Sequence, residues 1–208
     1  MNNGLLNKFY SLSTWIYNLA YINILWLTFT LLGGVVLGIF PSTIAMFFII
    51  KRMFLEKSDF SIIKEFTLLY KKEFKKSNLL FFPFILLAII VAADIRFISS
   101  LDFAFNSLLV QLFYVLLFLL AMIFLYSLVV YIYGARGKKE IFKKSFSLLL
   151  NNPMTNLYIL TWLLLLHFLT MKVAGLSLLF SGSVFSLTVL LTVQKTGKNF
   201  VQHVDRKL

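Results

Sequence analysis

FAFNSLLVQLFYVLLFLLAMIFLYSLVVYIY, the stretch Phe103–Tyr133, holds no Asp, Glu, Lys or Arg. It is longer than the roughly 20 apolar residues a helix needs to cross a hydrocarbon core. Its apolar side chains run continuously and do not alternate. A barrel strand would therefore have no polar face, whereas a helix satisfies its own backbone N–H and C=O groups in lipid. The stretch decides the class: this is an α-helical chain that lives in a membrane.

Working outward, four further runs read the same way: Thr14–Ile39, Ser77–Ala93, Thr155–Met171 and Val173–Val193. A shorter run, Pro41–Ile50, follows the first. Charged residues make up 13% of the chain, about half the level of an ordinary soluble protein. Hydrophobic residues make up 60%, with 24 Phe, more apolar surface than a soluble domain of this size can cover. The first run is too long for the apolar core of a signal peptide and reads as part of the mature chain. The whole chain, residues 1–208, reads as one membrane domain.

The net charge of +12 would suggest nucleic acid in a soluble chain. Here Lys and Arg collect between apolar runs, so the charge reads as membrane orientation and no nucleic-acid partner is expected. Three blocks carry most of it: Lys51–Lys76, Arg136–Lys144 and Lys195–Lys207. Each pair of neighbouring blocks is separated by two apolar runs. The chain therefore crosses out and back as two hairpins, Ser77–Tyr133 turning near Arg96–Asp102 and Thr155–Val193 turning near Lys172–Gly175. The basic blocks and the C-terminus are placed in the cytoplasm.

The N-terminal part has two readings. If Gly33-Gly34 does not break the helix, Thr14–Ile39 is one long span and Pro41 starts a short helix at the inner interface. That arrangement has five spans and is preferred. If Gly33-Gly34 is a turn, two shorter helices form a hairpin and there are six.

The basic blocks have helical order of their own. Phe60, Ile63, Phe66, Tyr70 and Phe74 recur at three- and four-residue steps opposite Lys64, Lys71, Lys72, Lys75 and Lys76, with Ser58 or Asp59 as the N-cap. Lys138–Leu150 repeats the pattern, setting Ile141, Phe142, Phe146, Leu149 and Leu150 against Lys138, Lys139, Lys143 and Lys144. Both segments, about 41–76 and 138–150, are expected to lie at the interface with their lysines on anionic lipid headgroups. Lys71-Lys72-Glu73-Phe74-Lys75-Lys76-Ser77 also resembles Lys138-Lys139-Glu140-Ile141-Phe142-Lys143-Lys144-Ser145 with one insertion. That is either a parallel repeat or two basic segments alike in composition.

Catalytic signatures are missing from the sequence. The chain has no Cys and two His, no phosphate-cradling Gly-Lys-Ser/Thr loop, no His-Glu-x-x-His and no nucleophile elbow. No enzyme activity and no cofactor or metal are expected. His167 stands inside an apolar run, where an ionisable group is a functional candidate, or else a neutral His bonded to a neighbouring helix. Asp94, Arg96 and Asp102 mark an outer turn, either a substrate mouth or a solvated turn. Asn18, Asn23, Thr28 and Thr30 lie in the first run and read chiefly as interhelical packing groups. Ser42 and Thr43 after Pro41 read as a helix start, with anion binding as the other reading.

Leu25-Trp26, Gly38-Ile39-Phe40-Pro41-Ser42-Thr43 and Lys51-Arg52, followed by the basic helix Glu65–Leu80, resemble the YesL-like family of bacterial membrane proteins of unknown function. That resemblance implies an accessory role in carbohydrate uptake, because family members are often encoded beside sugar importers and polysaccharide-degrading enzymes. It implies no catalytic residues. The expected architecture is an all-α polytopic bundle of five or six spans in the bacterial cytoplasmic membrane. The expected partners are anionic lipid, a sugar permease and further copies of the chain. A small oligomeric transporter or channel is the alternative.

Overall fold

The computed structural model describes residues 3–56, 58–101, 105–135, 137–172 and 174–196. Among them lie seven α-helices and one π-helical turn: α1 (Asn3–Leu32), α2 (Ile39–Ile50), the π turn Lys51–Leu55, α3 (Ile62–Ser99), α4 (Asn106–Ile132), α5 (Lys138–Asn151), α6 (Pro153–Lys172) and α7 (Ala174–Thr196). Three of these helices are long and apolar enough to cross a membrane: Phe9–Leu32, Ile62–Ser99 and Asn106–Ile132. Pro153–Leu165 and Leu179–Gln194 are shorter apolar helices. The described residues form helices and no strand, and the apolar helices make this a membrane protein. α3 ends at Ser99 and α4 starts at Asn106, while α6 ends at Lys172 and α7 starts at Ala174, so helix ends fall near both expected turns.

The single long helix through Thr14–Ile39 does not form. α1 stops at Leu32, and Gly34 enters the left-handed region at φ 71°. The Gly34 N–H then donates to Leu31 O at 3.0 Å and the Val35 N–H to Thr30 O at 2.9 Å. Those two bonds are the paired closure of a Schellman motif, which takes up the last carbonyls of a helix. Val35 follows at φ 64°, an uncommon conformation for a β-branched residue. Gly33 and Gly38 meet backbone to backbone across the turn, and a Cβ on Gly33 would overlap the Gly38 Cα. Only glycine lets the chain reverse this tightly, and α2 returns along α1.

The chain forms two compact units. One takes in Met1–Lys75 and Leu157–Thr196, the other Lys76–Asn156. In the first unit α1, α2 and α7 pack on one another. The centre of that unit is α2, whose Phe40, Ile44, Phe47, Ile49 and Ile50 are buried along with Pro41 and Ser42. A helix apolar on every side belongs inside a packed body. The N-terminal half of α3 begins later than the sequence pattern suggests, at Ile62, with the Glu65 N–H on Ser61 O. Its Phe66 and Tyr70 rings pack on Phe29 of α1 at 5.1 and 5.0 Å, while Lys64, Lys71, Lys72 and Lys75 are exposed.

In the second unit the last two turns of α4 meet α5. Tyr126, Leu128, Val129, Val130 and Tyr131 are buried there, whereas Leu108, Leu112, Val115, Leu116 and Phe118 earlier in α4 are exposed. Lipid accounts for that exposure, since hydrocarbon side chains have no cost facing acyl chains. Phe81 from the second half of α3 is fully buried and stacks edge-on against Phe124 and Tyr131 at 5.6 and 6.1 Å.

Candidate functional site: a polar seam in the first unit

The most organised polar chemistry among the described residues joins α1, α2 and α7. Asn23 on α1 is fully buried, and its Oδ1 accepts the backbone N–H groups of Gly182 and Ser183 on α7, each at 3.0 Å. Gly182 makes this approach possible. A Cβ there would lie 3.0 Å from Asn23 Oδ1, 3.3 Å from Trp26 Cε3 and 3.4 Å from Met46 Cε. One turn further along α1, Trp26 Nε1–H donates to Thr43 Oγ1 on α2 at 3.0 Å. A turn beyond that, Thr30 Oγ1 and Ser42 Oγ lie 2.7 Å apart, both buried. Ser42 Oγ–H donates to Gly38 O at 2.6 Å. A hydroxyl has one proton, so Thr30 is the donor in the Thr30–Ser42 bond.

These bonds define what the seam can do. Ser42 returns its proton to its own helix, and no titratable group takes part in the bonds just described. What the bonds fix is helix registry. Each bond ties a residue of α1 to one partner helix, and a shift of one residue would break all of them at once. Small residues at such contacts (Ser181, Gly182, Ser183 and Ser186 on α7) let helix backbones approach closely in lipid.

A second polar cluster closes the exit of α2. The π turn Lys51–Leu55 widens the helix, as such turns often do at functional places. Arg52 Nη1 donates to Glu65 Oε1 at 2.5 Å, and its guanidinium lies 4.6 Å from the centre of the Phe60 ring. Lys51 Nζ is 3.2 Å from Glu56 Oε1. The second unit has a smaller network. Tyr126 O–H donates to Asn156 Oδ1 at 2.5 Å, and Asn156 Nδ2–H donates to Leu149 O at 2.8 Å.

Of the residues singled out from sequence, Asn23 and Thr30 enter the seam, Asn18 is half-buried, and Thr28 bonds back to Ile24 O of its own helix. Asp94 and Arg96 both lie within α3 and not in the turn. They are two residues apart, about 200° around the axis, and are not brought together. Asp102 lies outside the described residues, and so does the His167 side chain, although the His167 backbone belongs to α6. Lys64, Lys71, Lys72, Lys75, Lys76, Lys138, Lys139 and Lys143 are exposed, while Lys144 is half-buried with its Nζ 2.6 Å from Glu140 Oε1. Among the described residues no group of three or more His, Cys, Asp or Glu is placed to hold a metal.

Sequence reasoning missed Gly182 and Ser183, the pairing of Trp26 with Thr43, and the burial of Glu73. The Ser-Gly-Ser-x-x-Ser spacing at Ser181–Ser186 is the one signal that marks the α7 contact in advance.

A family model described as "Protein of unknown function, DUF624" matches residues 19–95. The uncharacterized protein YteU of Bacillus subtilis (strain 168) is 33% identical over 207 residues, covering 94% of this chain and 91% of YteU. This chain belongs to the DUF624 family. The uncharacterized protein YesL of the same organism is 29% identical over 174 residues, 84% of this chain and 82% of YesL. YesV, also uncharacterized and from the same organism, is 38% identical over 117 residues, about half of each chain. No solved structure matches the chain. The DUF624 match takes in the α1 and α2 side of the seam and the Arg52–Glu65 pair. The α7 side, at Gly182 and Ser183, lies beyond it.

Proposed function

We propose that this DUF624 protein is a non-catalytic subunit of the bacterial cytoplasmic membrane that docks on a carbohydrate permease and supports or regulates uptake. The observation that carries the reading is where the polar groups of the first unit go. Asn23, Trp26, Thr30, Ser42 and Thr43 bond to one another's helices, so they hold the bundle in register and do not line a path for a solute. What the chain offers outward is apolar helix, as on α4, which suits contact with a larger partner's helices. The carbohydrate link rests on the resemblance to the YesL-like proteins.

The turn at Gly33-Gly34 supports the hairpin arrangement, with the N-terminus on the same cytoplasmic side as Lys51–Lys76 and six passes in all. The positive-inside bias supports a cytoplasmic C-terminus.

The test is affinity purification of the tagged protein in mild detergent from its host grown on a complex polysaccharide. Co-purification of a sugar permease at fixed stoichiometry is the expected result. Recovery of the protein alone or only with copies of itself would overturn the reading and favour a small independent transporter.

A further inference from the structure

Helix α5 has two apolar faces, and among the described residues one of them is covered and the other is exposed. Ile141, Ser145, Leu148 and Leu149 are buried. Ser145 Oγ lies 3.1 Å from Ser127 Oγ of α4, and Leu149 O takes the bond from Asn156. Phe142, Phe146 and Leu150 form a second row, one α-turn apart, and are 54, 45 and 62% exposed. The two phenyl rings lie parallel, 6.5 Å between centroids and 7° between planes. The sequence pattern merges both rows into a single face. The structure separates them by about 100° of helix rotation.

The border of the outer row is basic. Lys139 and Lys143 line its outward side, Lys138 stands at the helix start, and all three are exposed. Lys144, on the other side of the helix, is paired with Glu140. An exposed apolar row edged by lysine is the profile of a helix lying in the headgroup plane of a bilayer. α5 meets α4 at Ser127, about 7.5 Å along the axis from the last residue of α4, the end of α4 that adjoins the basic block Arg136–Lys144 in sequence.

We propose that α5 is an anionic-lipid binding element, with Phe142, Phe146 and Leu150 in the acyl boundary and Lys138, Lys139 and Lys143 on lipid phosphates. The occupant is a lipid monolayer. A row one side chain wide, with a cationic edge, fits a fluid anionic surface and gives a rigid protein partner little to interlock with. The inference does not depend on the permease reading.

The chain contains no cysteine, so single nitroxide labels can be placed without background. Labels at Phe142, Phe146 and Leu150, compared with Glu140, Ser147 and Asn151, are read by power saturation in vesicles of phosphatidylcholine with one-third phosphatidylglycerol. The first three should relax with oxygen and the second three with a water-soluble nickel chelate. A second measurement compares retention of phosphatidylglycerol over phosphatidylcholine by the wild type and by Lys138→Gln/Lys139→Gln/Lys143→Gln. The variant should lose about tenfold or more of the preference at low salt. All these positions are exposed, so the α4–α5 contact stays intact. Nickel access at Phe146 equal to that at Ser147 would overturn the proposal. So would shielding of the Phe labels from both reagents, which would mean a covering protein, or an unchanged lipid preference in the triple variant.

Discussion

If Gly182 is glycine because Asn23 needs the space, then Gly182→Ala must cost more in the wild type than when Asn23 is already gone. The added Cβ would lie 3.0 Å from Asn23 Oδ1 and 3.3 Å from Trp26 Cε3, so α1 or α7 has to move by a few tenths of an ångström. Overpacking of this kind costs about 1–3 kcal/mol, while alanine returns up to ~1 kcal/mol over glycine in a helix. Gly182→Ala alone should therefore destabilise by about 0–2 kcal/mol. Asn23→Ala removes the acceptor of two interhelical bonds, worth on average ~0.6 kcal/mol each in a membrane, and leaves a small void. In that background the methyl fills part of the void, and Gly182→Ala should be neutral or stabilising. The expected coupling is about 1–2 kcal/mol. It is measured by equilibrium unfolding of the four proteins in mixed dodecylmaltoside and dodecyl sulfate micelles, followed by tryptophan fluorescence. Additivity within ~0.5 kcal/mol, the behaviour of independent sites, would refute the seam as the reason for the glycine.

Three further outcomes are expected. Val35 sits exposed at φ 64°, so Val35→Asn, which tolerates that conformation, should stabilise by up to about 1 kcal/mol in the same assay; a loss would mean that the Val35 side chain makes a contact of its own. Ser127→Ala/Ser145→Ala should cost under ~0.5 kcal/mol, because each hydroxyl already donates to a carbonyl of its own helix at 2.7 Å, whereas Asn156→Leu strands the buried Tyr126 hydroxyl and should cost about 1–3 kcal/mol. Single cysteines at Ser61 and Lys138 should resist an impermeant thiol reagent in intact cells while one at Ser99 reacts, and protection at Asn3 supports the hairpin; the reverse pattern inverts the topology.

The ends of α3, α4, α6 and α7 were largely legible, because charge and hydropathy act residue by residue and an interrupted apolar run marks where an apolar helix stops. The α1–α2 hairpin was half legible. Gly33-Gly34 offered a break, but whether a glycine pair ends a helix depends on what comes back to meet it, here Gly38 across the turn. The seam was less legible still. Asn23 announces that some partner exists, because a buried amide in lipid needs one, yet that partner is a pair of backbone N–H groups about 160 residues away on α7. Backbone donors carry no side-chain signature. Only the small side chains around Gly182 hint that another helix comes close.

The two basic segments show why spelling is a poor guide to faces. In the first, Glu73 and Ser77 are four residues apart, about 40° around the helix, and both are buried. In the second, the extra residue Ile141 makes the interval from Glu140 to Ser145 five, about 140°. Ser145 is again buried, but Glu140 is turned out to the surface and meets Lys144 one turn along. The same insertion splits the apolar residues of α5 into an inner row and an outer one. The first segment buries its carboxylate and keeps Phe66 against Phe29. The second carries its carboxylate outside and leaves Phe142 and Phe146 uncovered. A near-identical run of Lys, Glu, Phe and Ser thus sits on two helices that bury different faces: the first encloses Glu73, and the second leaves Phe142 and Phe146 at the surface.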